Sequence, residues 1–444
     1  MKKSILGSVL VATTLTSTLI GTANSVHADD NNMSRLQTSG TEIQKDGQEY
    51  QLKGVNAGNV FTTESWLGGY ARTVEEKHDK GYQDVFDKTQ EKMGGNADKA
   101  HEVLEKYADN RWDDKDFENV KKMGCNTIRL PINYINVTNY DKKMEINDDK
   151  EIDPRQLQIR QEGIDAIKQF VQKAKDHGLY VILDMHGAPN GQNGDAHSTY
   201  ERNTEDHKSH GKFWDNEDAK GKMKEIWDRL SKEFKDEDAV AGYDVLNEPM
   251  GPDGVDGASD KTKARNNLQN FYKDTLGIFK DNNDNHIVFL ESTWEPDVMK
   301  DFNNNNNNIV YEYHNYPMDD DVMSHQKIKN NFDQKVDRIK KADDEYNVPT
   351  YMGEFNGHKA GNVPKHATMP NSKDFKHMIK KLNDNNMSWS IWNYDEEGKN
   401  NNDSTWGVLN FDGINTNTDE DDFGKKINPE VNNTVFNAIK EANK

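Results

Sequence analysis

The stretch from residue 154 to residue 187 reads PRQLQIRQEGIDAIKQFVQKAKDHGLYVILDMHG, and its two halves have different hydrophobic patterns. In Pro154–His177, apolar side chains recur every three or four positions, which predicts an amphipathic helix. In Tyr180–Met185, the side chains are mostly apolar without alternation, which is typical of a parallel strand buried on both faces. A helix followed by such a strand is the repeating unit of an α/β protein.

The same unit recurs along the chain. Eight short apolar runs are separated for the most part by amphipathic stretches, and this alternation predicts a single-domain (β/α)₈ TIM barrel. The runs are Gln51–Val55, Asn126–Leu130, Tyr180–Met185, Gly242–Leu246, Ile287–Glu291, Ile309–Tyr313, Thr350–Phe355 and Trp389–Trp392. The amphipathic stretches are Asp113–Met123, Pro154–His177, Asn216–Phe234, Lys261–Lys280, His325–Tyr346, Ser372–Asn385 and Pro429–Ala442.

Three further segments have simple local interpretations. Glu42–Leu52 contains the dipeptide Asp46-Gly47, which predicts a hairpin that closes the bottom of the barrel. Asn303–Asn308 is a run of asparagines that leads into the next strand, and Thr416–Asp422 is equally polar. Both are predicted to be solvated loops rather than linkers to a second domain.

The amino terminus has the pattern of a secretory signal peptide. Two lysines precede the apolar, threonine-rich run Ile5–Ile20, and Val26-His27-Ala28 resembles a small-residue cleavage site. We therefore expect residues 1–28 to be a signal peptide, residues 29–444 to be the catalytic domain, and the mature protein to be secreted and extracellular.

The charge of the chain limits its partners. A formal net charge of −21 disfavours binding to nucleic acid and to anionic membranes, whereas an uncharged glycan is not repelled. The single cysteine, Cys125, cannot form an intramolecular disulfide.

Polar side chains stand at the ends of most predicted strands, where catalytic groups of such barrels lie. Glu248 follows the fourth run in Leu246-Asn247-Glu248-Pro249, and Glu354 ends the seventh in Gly353-Glu354-Phe355. These two glutamates are expected to face each other across the barrel mouth. Hydrolysis of a glycosidic bond requires such a pair, one carboxylate ionised and one protonated.

Residues at the other strand ends suit the same chemistry. Arg129 could hold one glutamate ionised, and this role is compatible with a structural ion pair. Asn247 could bind a sugar hydroxyl, and Trp392 offers an apolar face to a sugar ring. The remaining hydrogen-bonding candidates are His186, His314 and Tyr316.

This ordered set resembles the family 5 glycoside hydrolases from about Gln51 to Tyr394. The resemblance implies that Glu248 is the acid/base and Glu354 the nucleophile of a retaining mechanism, which needs no cofactor.

Two segments are similar to the exo-β-1,3-glucanase branch of that family: Gly54–Gly58 followed by Glu64-Ser65-Trp66, and His186–Gly194. By this resemblance, Glu64 contacts the terminal sugar and helps to close a pocket. The substrate would then be a neutral β-glucan or oligosaccharide attacked from its end. Three alternatives stay open: an endo-β-1,4-glucanase, a β-mannanase and a non-catalytic carbohydrate-binding barrel.

A histidine-rich segment invites a metal interpretation. His197, His207 and His210 lie near Glu205 and Asp206, but their spacing matches no known metal motif. We therefore predict no metal and interpret the segment as a polar insertion loop.

Overall fold

The structure is a computed structural model of the chain. It describes residues 33–74, 81–148, 150–199, 212–249, 260–292, 294–300, 302, 308–316, 324–356, 372–398 and 407–444. The predicted signal peptide lies outside these ranges, as do His207, His210 and most of the asparagine run Asn303–Asn308.

Eight parallel strands form a closed barrel in which each strand pairs with the next in sequence. The last strand pairs with the first through Trp389 and Lys53, which confirms the predicted (β/α)₈ architecture. The barrel strands are β1 (Lys53–Asn56), β2 (Thr127–Asn133), β3 (Tyr180–Gly187), β4 (Val240–Asp244), β5 (Ile287–Glu291), β6 (Ile309–Asn315), β7 (Thr350–Phe355) and β8 (Ser388–Ile391).

Helices surround the barrel and bury their apolar faces against it. They are α1 (Tyr70–Val74), α2 (Tyr82–Lys92), α3 (Ala97–Arg111), α4 (Asp114–Lys122), α5 (Gln161–Asp176), α6 (Glu217–Phe234), α7 (Lys261–Asp281), α8 (His325–Tyr346), α9 (Ser372–Asp384) and α10 (Asn433–Ala442). The first three occupy a segment for which the sequence predicted no helices. Among the described residues between β5 and β6, only the 3₁₀ helix Pro296–Met299 occurs.

A small antiparallel sheet covers the amino-terminal end of the barrel. It consists of Leu36–Ser39, Glu42–Lys45 and Gln48–Glu49. The turn at Asp46-Gly47 has φ values of 53° and 75°, as a two-residue hairpin requires. Tyr50, which follows the sheet, packs edge-on against Tyr180 at the start of β3. The predicted closure is confirmed, but the sheet begins earlier in the chain than predicted.

The carboxyl-terminal segment contains two more small sheets. One joins Asp395–Glu397, Leu409–Phe411 and Glu430–Val431, and the other pairs Gly413–Ile414 with Lys426–Ile427. Thr416–Asp422 lies in the polar loop between Gly413–Ile414 and Lys426–Ile427, as predicted. The start predicted for the last helix, Pro429, was wrong because Glu430–Val431 pairs with Leu409–Asn410, and the helix begins only at Asn433.

The inside of the barrel contains buried charged and polar side chains, whereas the layer between strands and helices is apolar. Apolar side chains fill the space between strands and helices, whereas Arg129, Asp184, Asp244, Glu312 and His314 are completely buried inside the barrel. Charged groups are almost never this buried unless they are paired. Within the part of the chain that the structure describes, no helix is both long and apolar enough to span a membrane.

Candidate active site

Glu248 and Glu354 meet at the carboxyl-terminal end of the barrel. Three atoms lie within 4.8 Å of one another: a carboxylate oxygen of Glu248, a carboxylate oxygen of Glu354 and a ring nitrogen of His314. An inverting pair needs about 6.5–9.5 Å so that a water molecule can enter between the carboxyl groups. The separation therefore matches the closer spacing of a retaining pair, as the sequence argument predicted.

Both carboxylate oxygens of Glu354 accept hydrogen bonds. Nη1 of Arg129 donates to Oε1 at 2.8 Å, and the hydroxyl of Tyr316 donates to Oε2 at 2.7 Å. A cation and a hydroxyl donor both favour the ionised carboxylate over the protonated acid. Both contacts therefore suit the ionised form of a carboxylate, which is the form that a nucleophile needs.

Arg129 connects most of the buried polar groups of the barrel. Its Nε donates to Asp244 at 3.0 Å, and its Nη2 donates to Asn247 at 2.9 Å. Carboxylate oxygens of Asp184 and Glu312 lie 3.1 and 3.2 Å from the same guanidinium. Arg129 therefore pairs with buried structural carboxylates and with Glu354 at the same time.

Four buried carboxyl groups beneath the pair were not identified as site residues from the sequence. Burial raises the pKa of Asp184 to about 8, although Arg129 opposes the shift. Burial likewise raises the pKa of Asp244 and of Glu312 to about 7, and that of Glu291 well above its usual value. Each of these residues lies inside one of the predicted apolar runs. A lone carboxylate within a buried strand was the signal that could have revealed them.

The backbone of Glu248 is held in an unusual conformation. Its φ of 40° lies in the left-handed region, which costs a residue with a side chain about 1–3 kcal/mol. Its N–H donates to a carboxylate oxygen of Glu291 at 2.5 Å, and its carbonyl accepts from Asn193 at 3.0 Å. These contacts fix the direction in which the carboxyl group points.

Two imidazole rings bracket the carboxyl group of Glu248. Nδ1 of His314 lies 2.8 Å from Oε1, and Nε2 of His197 lies 3.0 Å from Oε2. Burial favours the neutral acid, but the hydrogen bonds and charges of these two histidines lower the pKa of Glu248 below its usual value. This lowered pKa is the opposite of what an acid catalyst needs, because an acid must be protonated before the glycosidic bond breaks.

His197 corrects the prediction made for the histidine-rich segment. It lies in a 3₁₀ helix, Ala196–Ser198, directly after the loop that follows β3, and its ring reaches the barrel mouth. It was interpreted as part of a polar insertion loop because the spacing of the histidines matches no metal motif. Its partner Glu248 is distant in the sequence, so only the fold brings the two together.

His186 and Trp392 form a stacked pair, with ring centroids 5.4 Å apart and planes inclined by 8°. Nδ1 of His186 lies 2.8 Å from Asp184, and burial lowers the pKa of His186 to about 3. The ring is therefore neutral. A Cβ atom on Gly58 would come within 2.6 Å of the Trp392 ring, so this position requires glycine. Asn247 lies beside the pair, with its Nδ2 3.5 Å from Nε2 of His186.

Glu64 approaches the pair from the loop after β1. Indole Nε1 of Trp66 donates to its Oε2 at 2.7 Å. Burial raises the pKa of Glu64 to about 7, the nearby His197 opposes the shift, and Glu354 and Glu248 reinforce it. The pKa of Glu64 therefore depends on the charges of all three of these residues.

Trp294, after β5, was not identified from the sequence. Its ring centroid lies 6.5 Å from those of His314 and of Tyr316, and the side chain is partly exposed. An accessible indole beside the two glutamates is the kind of surface on which a sugar ring stacks. A tryptophan soon after a barrel strand was the available signal.

Two groups of described side chains have the atom types and spacing of metal ligands: Glu248, His314 and Glu354, and Glu291, Glu312 and His314. In the first group, every carboxylate oxygen already contacts Arg129, Tyr316 or a histidine. The guanidinium of Arg129 also lies beside Glu354 and Glu312, and its charge disfavours a second cation. We therefore assign no metal ligand here.

Comparisons with known proteins agree with this geometry. The family model described as Cellulase (glycosyl hydrolase family 5) matches residues 86–398. A β-xylosidase of Phanerodontia chrysosporium is 26% identical over 82% of this chain and 72% of its own length. A probable glucan 1,3-β-glucosidase A of Aspergillus niger is 23% identical over 73% of this chain and 69% of its own length.

Solved structures share the fold. The rutinosidase of Aspergillus niger superposes with a TM-score of 0.61 at 14% identity, over 79% of this chain and 92% of the rutinosidase. A xyloglucan-specific endo-β-1,4-glucanase from a metagenomic library gives a TM-score of 0.53 at 17% identity, over 88% of this chain and 96% of that enzyme. With the family model spanning most of the barrel, the chain belongs to glycosyl hydrolase family 5 and is a retaining glycoside hydrolase.

Proposed function

We propose that this glycoside hydrolase removes single sugars from the end of a β-glucan, with Glu354 as nucleophile and Glu248 as acid/base. The observation that carries the assignment is the difference between the two carboxyl groups. Glu354 accepts hydrogen bonds from a cation and a hydroxyl, Arg129 and Tyr316, which stabilise the ionised carboxylate. The described partners of the Glu248 carboxyl group are instead the imidazole rings of His314 and His197, which can hold or release a proton.

The reaction follows as two displacements. Glu354 attacks the anomeric carbon while Glu248 gives a proton to the departing glycosidic oxygen, and a glycosyl ester forms on Glu354. Glu248, now ionised, removes a proton from water. The resulting hydroxide bonds to the anomeric carbon, the ester bond breaks, and Glu354 recovers its electron pair. Two inversions at one carbon retain the configuration.

Glucan as substrate and attack from the chain end are supported by two observations. The relatives include enzymes named as glucan 1,3-β-glucosidases. Glu64, hydrogen-bonded to Trp66, is partly buried in the loop after β1, and the charges of Glu354 and Glu248 raise its pKa; there it would close the innermost sugar site. Arg129, His186, Asn247, His314, Tyr316 and Trp392 complete the proposed binding site.

The similarity to a β-xylosidase supports a second candidate substrate, a β-linked xylose chain. Xylose lacks the hydroxymethyl group of glucose, so the two activities differ in how much space the innermost site leaves beside that carbon. Comparison of aryl β-glucoside with aryl β-xyloside hydrolysis distinguishes them.

We further propose that residues 1–28 are removed on secretion and that residues 29–444 act outside the cell. The basis is the lysine-led apolar segment and the small residue Ala28. Sequencing the amino terminus of protein recovered from culture medium would test the proposal, and a start at Met1 would contradict it.

A substrate panel tests the proposed function. It should contain β-1,3-, β-1,4- and β-1,6-glucans, mannan and aryl glycosides, with the products sized and the first-formed anomer identified by NMR. We expect monosaccharide as the main early product, with retained configuration. Mixed oligosaccharides with rapid loss of viscosity would indicate endo action instead.

Glu354→Ala should lower turnover by orders of magnitude on every active substrate without unfolding the protein. Glu118→Ala removes an exposed glutamate on α4 and serves as the matched control, with activity expected at the wild-type level. Activity of Glu354→Ala within about tenfold of wild type would refute the nucleophile assignment.

A further inference from the structure

The acid role proposed for Glu248 raises a question about its proton. The carboxyl group must be protonated when the glycosidic bond breaks, yet both of its oxygens face ring nitrogens. If both histidines acted as donors, Glu248 would be a stable carboxylate and a poor acid. At least one of the two rings must therefore be able to accept the hydrogen of Glu248. The hydrogen bonds of the neighbouring Asn193 identify which ring it is.

The hydrogen bonds of Asn193 fix the orientation of its side chain. Its Oδ1 accepts from the backbone N–H of Asp195 at 2.8 Å, and its Nδ2 donates to the carbonyl of Glu248 at 3.0 Å. If the amide were flipped, its oxygen would face the carbonyl oxygen of Glu248, and its NH₂ group would face the backbone N–H of Asp195. The group that faces His197 is therefore Nδ2, which can only donate.

Nε2 of His197 lies between this donor and the proposed acid. It is 2.9 Å from Nδ2 of Asn193 and 3.0 Å from Oε2 of Glu248. A hydrogen on Nε2 would point one donor at another across the contact with Asn193. The single lone pair of an unprotonated Nε2 can accept from Asn193, and it can share a hydrogen with Glu248 only when that hydrogen resides on the carboxyl group.

We propose that His197 is the proton-sharing partner of Glu248, and that Asn193 biases their shared proton toward the carboxyl group. His197 acts through Glu248, so it is a positioning residue rather than a catalytic one. The inference rests on the proposed acid/base role of Glu248 and adds to it the residue that keeps the acid protonated.

The proton balance of the reaction is preserved. When the glycosidic C–O bond breaks, the hydrogen on Oε2 of Glu248 passes to the leaving oxygen, and the His197–Glu248 pair is left one proton short. In the second displacement, water gives one proton to the pair and its hydroxide to the anomeric carbon. The pair thus ends the cycle with the single proton with which it began.

The surroundings of the pair determine the pH range over which it keeps that proton. Asp195 and Glu64 face His197 with negative charge, His186 approaches its ring, and His314 and Glu291 lie on the other side of Glu248. Burial opposes the imidazolium, but Glu248, Asp195 and Glu64 together raise the pKa of His197 to about 10. Because strongly interacting groups titrate as a unit, the pair should stay singly protonated well above neutral pH.

The test is the basic limb of the pH profile of kcat/KM, which reports the loss of the essential acid's proton in the free enzyme. We expect His197→Gln to move this limb to lower pH by at least about one unit, which exceeds ordinary experimental scatter. Hydrolysis of an aryl β-glucoside with a poor leaving group should also fall by about tenfold or more at pH 8. A dinitrophenyl β-glucoside, which needs no protonation, should lose much less.

Glutamine keeps the polarity of the site and can hydrogen-bond, but it cannot titrate. If His197 only held Glu248 in place, glutamine could replace it, and the basic limb of the pH profile would stay at its wild-type position. That result would overturn the inference. Ser198→Ala is the control for disturbance of the loop, because this hydroxyl bonds to the carbonyl of Asp195 and not to Glu248. An equal shift of the limb in Ser198→Ala would also overturn it.

A second variant keeps the test decisive if His197→Gln does not fold. Asn193→Asp replaces the donor that faces Nε2 with an acceptor, which draws the shared proton onto His197. Selective loss of activity on poor leaving groups is expected, and equal loss on both substrate classes would count against the inference. Failure of the proposed function looks different, since the wild-type protein would then hydrolyse no β-glucoside.

Discussion

Replacement of Arg129 by methionine is the most informative single change in the barrel. The guanidinium is completely buried and lies within 3.2 Å of carboxylate oxygens of Asp184, Asp244, Glu312 and Glu354. Methionine fills a similar volume but carries neither the charge nor the donors. The substitution therefore removes the counter-charge that these four buried carboxylates share.

The size of the effect should depend on pH. Breaking a buried ion pair from one side costs about 3–5 kcal/mol, a large part of the roughly 5–15 kcal/mol that stabilises a domain. With Arg129 present, the pKa of Asp184 is about 8 and those of Asp244 and Glu312 are about 7. Below about pH 6 these carboxyl groups are mostly protonated, so the charge of Arg129 stabilises them little. Above about pH 8 they are ionised, and the charge of Arg129 then offsets the cost of burying them.

Urea unfolding at pH 5.5 and at pH 8.5 measures this dependence. For Arg129→Met, the loss in free energy of unfolding should be about 3–5 kcal/mol at the higher pH and clearly smaller at the lower pH. Arg129→Lys, which keeps the charge but not the planar fork of donors, should fall between this variant and wild type. Arg155→Met removes an exposed arginine paired with Asp153 and should leave the unfolding midpoint unchanged.

Two results would refute the reasoning. A loss below about 1 kcal/mol at both pH values would mean that the buried carboxyl groups do not need the cation. An equally large loss at both would mean that it arises from packing rather than from charge. Activity is a poor readout here, because Arg129 also contacts Glu354.

Three further predictions concern the site. In Glu248→Ala, substrates with very good leaving groups should lose far less in the first step than natural glycans, and equal losses measured by pre-steady-state kinetics would contradict the acid role. Glu64→Ala should weaken binding of the terminal sugar by about 1–3 kcal/mol, measured as glucose inhibition, and an unchanged inhibition constant would show that Glu64 does not reach that sugar. In Gly353→Ala, the new methyl group would meet Oε1 of Glu312 at 1.6 Å, so stability should fall by about 1–3 kcal/mol in urea unfolding; a stable variant would mean that Glu312 has room to move.

Much of the fold could be predicted because its elements obey strong local rules. The bounds of β5 (Ile287–Glu291), β7 (Thr350–Phe355) and α8 (His325–Tyr346) agree with the sequence prediction. Buried strands need uninterrupted apolar runs, and surface helices need a periodic apolar face. The predicted ends of a helix were wrong where an apolar periodicity continues across a turn. Pro154–Gln156 forms a separate 3₁₀ turn, so α5 begins only at Gln161.

The segment Gly68–Asn110 shows where local rules fail. Its helix α2 buries polar side chains, including Gln83, Asp84 and Asp87. Lys150, from a distant loop, forms ion pairs with both aspartates. A helix that packs through such pairs has no clean hydrophobic stripe, and its partners cannot be recognised before the chain is folded.

The sequence alone determined which residues stand at the ends of the strands, because strand periodicity and order are local properties. It therefore pointed to Glu248, Glu354 and Tyr316, whereas Arg129, predicted near a strand end, lies inside β2 and is completely buried in the barrel. Only the tertiary structure decided how these groups are charged. The pKa of a buried group depends on lost hydration and on charges a few ångströms away, and those charges come from remote parts of the chain. His197 is the clearest case: a polar loop residue in the sequence, it becomes the neighbour of the proposed acid only when the barrel closes.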